Sequence, residues 1–317
     1  MSRTSFWGGA VILALVVAAC SGGAEPTTTV DNGGSETTTS TTEEPDVSTT
    51  SQPDEGEEFD VDGPIEPPPL EDASFSDSTN VDHEFLPLTP GTQLVLDGVT
   101  LEDDEEIPHR IVYTVSDLTK VIGGVEGVVS YILDYSDGEL AEAEIAFFAQ
   151  DDEGNVWHLG EYPEEYEEGE FVAAPAWVHG AEDARAGIQM PADLEPDSGS
   201  WPQGWGPAVE WTDRARVFEV GSQTCVPAGC YEDVLIIDEN SLDEPTFFQV
   251  KYYAPGVGNI QVGWKGNDPT GEDLGLLEHN MLDEEQMAEI REAVLALEAS
   301  AYEHNEAYAT TEPIQVP

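Results

Sequence analysis

Val128-Val129-Ser130-Tyr131-Ile132-Leu133-Asp134-Tyr135, then Ser136-Asp137-Gly138, then Glu139-Leu140-Ala141-Glu142-Ala143-Glu144-Ile145-Ala146-Phe147-Phe148-Ala149-Gln150 follow one another without interruption. The first piece is rich in β-branched and aromatic residues, and Asp137-Gly138 carries turn chemistry, so the three read as strand, hairpin turn and returning strand. Glu139 to Glu144 are good helix formers. Ile145-Ala146-Phe147-Phe148 and the flanking turn signals nevertheless favour a strand over 140–150. Asp151-Asp152-Glu153-Gly154-Asn155 is the next turn, and Val156-Trp157-His158-Leu159 returns from it. Strands joined by turns this short are antiparallel, and that decides the fold class.

The same signals extend in both directions. Strands are expected at 93–96, 110–115 and 128–135 on one side, and at 215–220, 231–237, 246–253 and 259–264 on the other. The stretch 162–213 is rich in Gly, Pro and Trp and reads as short strands and ordered loops. One helix is clear, about 283–303. Asp283 stands as its N-cap with Gln286 three residues on, a capping-box pattern. Met287, Ile290, Val294, Leu297 and Ala301 make one apolar stripe, which packs on the sheet or, as the alternative, meets a coiled-coil partner. The expected fold is mostly β: an antiparallel meander with a Trp-rich irregular section and one C-terminal α-helix. The helix and the Trp-rich section are the available cover for the sheet.

Upstream, Arg3 precedes an apolar run over 10–19 that ends in Val17-Ala18-Ala19-Cys20. This looks like the lipobox of bacterial lipoproteins, so residues 1–19 would be a signal peptide and Cys20 would carry the lipid. An ordinary signal peptide is the alternative. A transmembrane span is disfavoured because the run is shorter than the ~20 residues a bilayer requires. Residues 20–80 hold Thr, Ser, Pro and acidic residues with few large apolar ones, which describes a disordered, acidic Thr/Pro-rich tether. Residues 81–317 then form a single β-rich domain, exported and anchored to the outer face of a bacterial membrane or cell envelope.

The charge balance is extreme: 67 acidic against 9 basic side chains, a net charge of −58. Such a surface repels phosphate backbones and anionic headgroups, so nucleic acid is not a partner and the membrane is reached only through the lipid on Cys20. In an exported chain, Cys225 and Cys230 are expected to form a disulfide that staples a hairpin across Val226-Pro227-Ala228-Gly229.

Several stretches together resemble a family of bacterial lipoproteins and exported proteins that has no assigned activity. They are Phe85-Leu86-Pro87-Leu88-Thr89-Pro90-Gly91-Thr92, Ala149-Gln150-Asp151-Asp152-Glu153-Gly154-Asn155-Val156-Trp157, Gly187-Ile188-Gln189-Met190-Pro191-Ala192 and Lys251-Tyr252-Tyr253-Ala254-Pro255-Gly256-Val257-Gly258. The resemblance spans roughly residues 83–262 and implies export, not chemistry.

Site candidates each carry a plainer alternative. Asp151, Asp152, Glu153 and Asn155 surround one glycine, and Ca²⁺ is the ion they would suit; turn chemistry accounts for the same residues. Trp201, Trp205 and Trp211, with Trp177 and His179 upstream, form either a rim that holds a sugar or cation or a lid over the sheet. No Gly-x-Ser-x-Gly, His-Glu-x-x-His, phosphate loop or dinucleotide fingerprint is present, so no cofactor is expected. The leading function is a binding or interaction module for a small molecule, glycan or protein. A glycan-directed hydrolase would need two facing carboxylates, with Glu161, Glu182, Asp183, Glu210 and Asp213 the nearest to the Trp-rich stretch. A structural envelope role is the third reading. The lipid assignment is testable directly: cells fed labelled palmitate should label the protein, and Cys20→Ala should abolish the label and move the protein from the detergent to the aqueous phase. Label retained by the variant contradicts the assignment.

Overall fold

The computed structural model describes residues 62–317 apart from 103, 104, 197, 243, 267 and 269. The expected signal peptide, Cys20 and the expected tether as far as residue 61 lie outside the described residues. Five strands form a first meander: β1 (Thr92–Glu102), β2 (Glu105–Ile122), β3 (Val125–Ser136), β4 (Glu139–Gln150) and β5 (Val156–Glu167). Short strands follow: β6 (Glu170–Ala173), β7 (Trp177–Val178), β8 (Arg185–Met190), β9 (Trp201–Pro202) and β10 (Gly204–Trp205). A second meander runs through β11 (Asp213–Val226), β12 (Gly229–Ser241), β13 (Phe247–Ala254), β14 (Gly258–Gly266) and β15 (Asp273–Met281). Helix α1 (Glu284–His304) comes next.

The sequence reading placed the other meander strands but not β15. Only Leu274 and Leu276 of β15 are buried, with Gly275 between them, so its alternation is too short to stand out. Yet β15 joins the two meanders, pairing with β14 on one side and β1 on the other. The continuous sheet therefore runs β5-β4-β3-β2-β1-β15-β14-β13-β12-β11. The Cys225–Cys230 disulfide is present and spans the β11–β12 hairpin, as expected.

The two ends of this sheet meet. Beyond β5 lie β8 and then β10; beyond β11 lies β9. Only Gln203 separates β9 from β10, and consecutive Cα atoms are 3.80 Å apart, so backbone continuity closes the sheet into a barrel. Closure removes the exposed edges that an open sheet would offer to other chains. It corrects one expectation: the Trp-rich section is the seam of the barrel and not a lid. The inner face is covered by the sheet itself.

Side chains alternate across a strand, so register decides what faces inward. One row around the wall runs Leu94, Tyr113, Ile132, Glu144 and Pro163. Another runs Val217, Ile237, Lys251, Val262 and Leu274. Val115, Phe148, Val156, Leu235 and Tyr253 pack with Val81 and Leu88 of the incoming chain into an interior apolar cluster. The outward face of β2–β5, including Val129, Ile145, Phe147 and Leu159, packs on Val294, Leu297 and Ala301 of α1. Both capping-box bonds of Asp283 and Gln286 are made. Fully buried Lys120 fixes the helix to the barrel, its Nζ donating to Glu298 Oε1 at 2.8 Å and to the Glu312 carbonyl at 2.6 Å.

Packed structure also begins before residue 81. Leu70 is 4% exposed, Asp62 Oδ1 accepts from the Ser200 amide at 2.8 Å, and Asp152 accepts from the amide and hydroxyl of Ser76. Composition hid this because the anchors are mostly polar. At the seam the backbones approach so closely that a Cβ on Gly187 would lie 2.4 Å from the Gly204 nitrogen. Gly187→Ala is therefore expected to destabilise the domain by about 1–3 kcal/mol through overpacking. Urea unfolding measures this, and an unchanged midpoint would contradict the seam.

Candidate functional site

Closing the barrel leaves an interior cavity of about 580 Å³. Its wall mixes apolar and polar side chains. Leu94, Leu96, Ile111, Tyr113, Ile132 and Val262 supply apolar surface. Acidic groups come from four strands: Asp134 of β3, Glu142 and Glu144 of β4, Glu161 of β5 and Asp213 of β11, with Glu144 directly beside Ile132. Glu239 of β12, Lys251 of β13, which lies beside Val262, and Glu272 before β15 complete the polar surface. A sheet with a period of two puts Glu142, Glu144, Ala146 and Phe148 on one face, so the carboxylates and the apolar wall are built by the same alternation.

Lys251 Nζ lies 2.5 Å from Glu239 Oε2, and Gln203 Nε2 donates to Glu239 Oε1 at 2.7 Å. Burial works against the Lys251 charge, but Glu239 and its other acidic neighbours outweigh it and hold the ammonium above its usual range. One lysine does not neutralise the carboxylates around it. Burial, followed by the Glu239 charge, pushes Asp213 up to about 7. Burial likewise raises Glu144 to about 7, opposed by Lys251. Glu142 and Glu161 are also raised well above the ordinary carboxylate range, by burial first and then by Glu144. These are carboxyl groups that keep their protons near neutral pH, the condition for donating a hydrogen bond or transferring a proton.

His158 stands beside them. It is 4% exposed, stacks on Phe148 at 4.8 Å and meets the edges of Trp177 and Trp211 at 4.9 and 5.6 Å. Its Nε2 lies 3.4 Å from Glu161 Oε2. Burial lowers this imidazole to about 3, so it is neutral. A second histidine, His109 of β2, sits 2.7 Å from Asp134 Oδ1 through Nε2 and 3.4 Å from Glu272 Oε1 through Nδ1.

Of the five residues expected at an aromatic rim, Trp211 alone lines the cavity. Trp177 is buried against it, ring centroids 4.8 Å apart. Trp201 and Trp205 are half-buried on the two seam strands, and His179 Nδ1 accepts from the Ala186 amide at 3.0 Å. The acidic turn stands apart from the cavity. Asp151 accepts from the Glu153 and Asn155 amides, from Asn155 Nδ2 and from the Trp157 indole, so its two oxygens are occupied within the turn and its strand. Asn155 Oδ1 accepts from the Ala192 amide. Among the five carboxylates named for hydrolysis, Glu161 and Asp213 do share the cavity, while Glu182, Asp183 and Glu210 are exposed on left-handed backbone. Sequence reading missed Glu142, Glu144, Glu239 and Lys251. The available signal was acidic residues in phase with Ala146 and Phe148 on a strand otherwise apolar on that face.

No protein-family model and no curated protein matches the chain. Two solved structures do. One, from Bacteroides fragilis, is described as a "putative exported protein with YmcC-like fold" and shares 14% identity over 62% of this chain and 99% of its own, with a TM-score of 0.37. The other, from Parabacteroides distasonis, is described as a "putative lipoprotein" and shares 12% identity over the same fractions, with a TM-score of 0.36. Likenesses this distant carry no function.

The raised carboxyls give the protein a sign for its pH response. In the unfolded chain Asp213 and Glu144 ionise near 3.8 and 4.5, and in the folded protein only near 7. Between those values the unfolded state has released protons that the folded state still holds, so stability falls as pH rises through this window and then levels. Each unit of upward shift costs about 1.4 kcal/mol above the window. The thermal midpoint should be higher at pH 5 than at pH 8, and Asp213→Asn should flatten the dependence. A midpoint that climbs from pH 5 to pH 8 contradicts the protonated interior.

Proposed function

We propose that this is a lipid-anchored, extracytoplasmic binding protein whose ligand site is the interior of the barrel. The observation that carries the reading is the cavity itself: about 580 Å³, lined by apolar side chains and by convergent, mostly half-buried carboxylates. That is the size and chemistry of a small-molecule site. The raised carboxyls can donate as well as accept, and Lys251 donates, so the wall suits a ligand with hydroxyl or amine groups on a partly apolar body. A glycoside or an amphipathic amine has this form. The lipobox at Cys20 and the disulfide suit a chain that works outside the cytoplasm, held to a membrane by its lipid.

A second reading has one specific observation in its favour. Glu161 and Asp213 lie in one cavity with carboxyl groups that stay protonated toward neutral pH, which suits a general acid in glycan hydrolysis. Release of reducing sugar from envelope glycans, abolished by Asp213→Asn, would favour it over simple binding.

Binding is tested by a thermal-shift screen of glycosides and amphipathic amines. A ligand at 100 times its Kd adds about 2.7 kcal/mol of stability. Ile132→Trp fills the cavity from β3 and should abolish the shift while the protein still melts cooperatively. A ligand that shifts both proteins equally binds elsewhere, and the interior site is then wrong.

A further inference from the structure

His109 reaches the barrel interior from β2 and is 2% exposed. Its Nε2 lies 2.7 Å from Asp134 Oδ1 on the adjoining strand. When the ring is neutral, a carboxylate at Nε2 holds its proton there and leaves the Nδ1 lone pair free on the other side, so an ion bound at Nδ1 would compete with a proton that Asp134 and Glu272 favour. Nδ1 is buried and, among the described residues, has no hydrogen-bond partner. Glu272 Oε1 lies 3.4 Å from it. That gap is long for an N–H···O bond, whose usual span ends near 3.2 Å. It is the separation of two ligand atoms on one ion, since two bonds of about 2.1 Å meeting at a tetrahedral angle put their ends about 3.4 Å apart.

The surroundings fit the same reading. Gln249 Nε2 donates to the second Glu272 oxygen, so both the imidazole and the carboxylate are oriented by a partner behind them. Such second contacts are the usual support of metal ligands. Ligand atoms of His109, Asp134 and Glu272 all lie within 4.8 Å of one another. Asp134 and Glu272 line the cavity, so an ion here would keep positions open to it. An imidazole with a carboxylate suits Zn²⁺ and its neighbours, whereas Ca²⁺ and Mg²⁺ take oxygen ligands.

We propose that His109 Nδ1 and Glu272 Oε1 hold a divalent transition-metal ion of the Zn²⁺ class, with its remaining positions turned to the cavity. Asp134 and Gln249 orient the two ligands. The site stands whether or not the cavity also takes an organic ligand.

The test is titration of the metal-free full-length protein with Co²⁺ alone, read by its visible ligand-field bands, followed by displacement with Zn²⁺. One equivalent of Co²⁺ should give bands that Zn²⁺ removes. His109→Gln and Glu272→Gln should each eliminate them, Asp134→Asn should weaken affinity about 10–100-fold, and His304→Gln on the exposed end of α1 should change nothing. Bands that persist in folded His109→Gln would place the ion on the acidic surface and overturn the proposal. So would the absence of bands in the wild-type protein. If the variants fail to fold, ¹⁵N spectra of the wild-type imidazoles decide: Zn²⁺ must move the Nδ1 resonance of His109, and an unmoved resonance overturns the site.

Discussion

Gln203 is the single residue between two short strands that belong to opposite ends of one sheet. Its amide donates to the Asp213 carbonyl at 2.9 Å, and its side chain reaches Glu239 inside the barrel at 2.7 Å. Everything else in the fold depends on this closure. Without it the first and second meanders would be joined only along β1 and β15, and the inner faces of β4 and β12 would have no reason to confront each other. With it, carboxylates far apart in sequence are brought to one shared cavity. Gly187 and Gly204 make the closure sterically feasible, because a Cβ on either would collide with the opposite backbone or with the rings of Trp177 and Trp211.

Enclosure explains how a chain of net charge −58 uses its few cations. Each of its three lysines is paired with a carboxylate: Lys120 with Glu298 under the helix, Lys251 with Glu239 in the interior, and Lys265 with Asp238 on the outward face of β12–β14. Removing one member of such a pair leaves an uncompensated buried charge, which is far costlier than losing a surface pair. The cavity carboxylates are too many for Lys251 alone to balance. They respond as buried acids do, by holding protons. The acidic surface and the acidic interior are thus different things: one is solvated, the other is an arrangement of donors and acceptors that closure has brought together and partly withdrawn from water.

Local signals in the sequence were reliable where the physics is local. Asp137-Gly138 made the β3–β4 hairpin, Asp283 with Gln286 began the helix, and Cys225 with Cys230 closed the β11–β12 turn. The strands were legible because alternation is set by neighbours two residues apart. Closure was not, because it pairs Trp201 with Ala215 and Trp205 with Arg185, through strands only two residues long. The site followed the same rule. Glu161 and Asp213 were singled out for their nearness to the Trp-rich stretch and do line the cavity, but Glu142, Glu144 and Lys251 meet them only through the register of the whole barrel. Trp201 and Trp205 drew attention as exposed aromatics, and their place is the seam.

The most direct test of closure is amide hydrogen exchange across residues 201–206. A closed barrel predicts that the amides of Gln203 and Gly206, which donate to Asp213 and Trp211, exchange as slowly as those of β11 and β8 on either side. Exchange at the rate of free loops, with β11 and β8 still protected, would mean that the two ends of the sheet do not meet and that the cavity is an open groove.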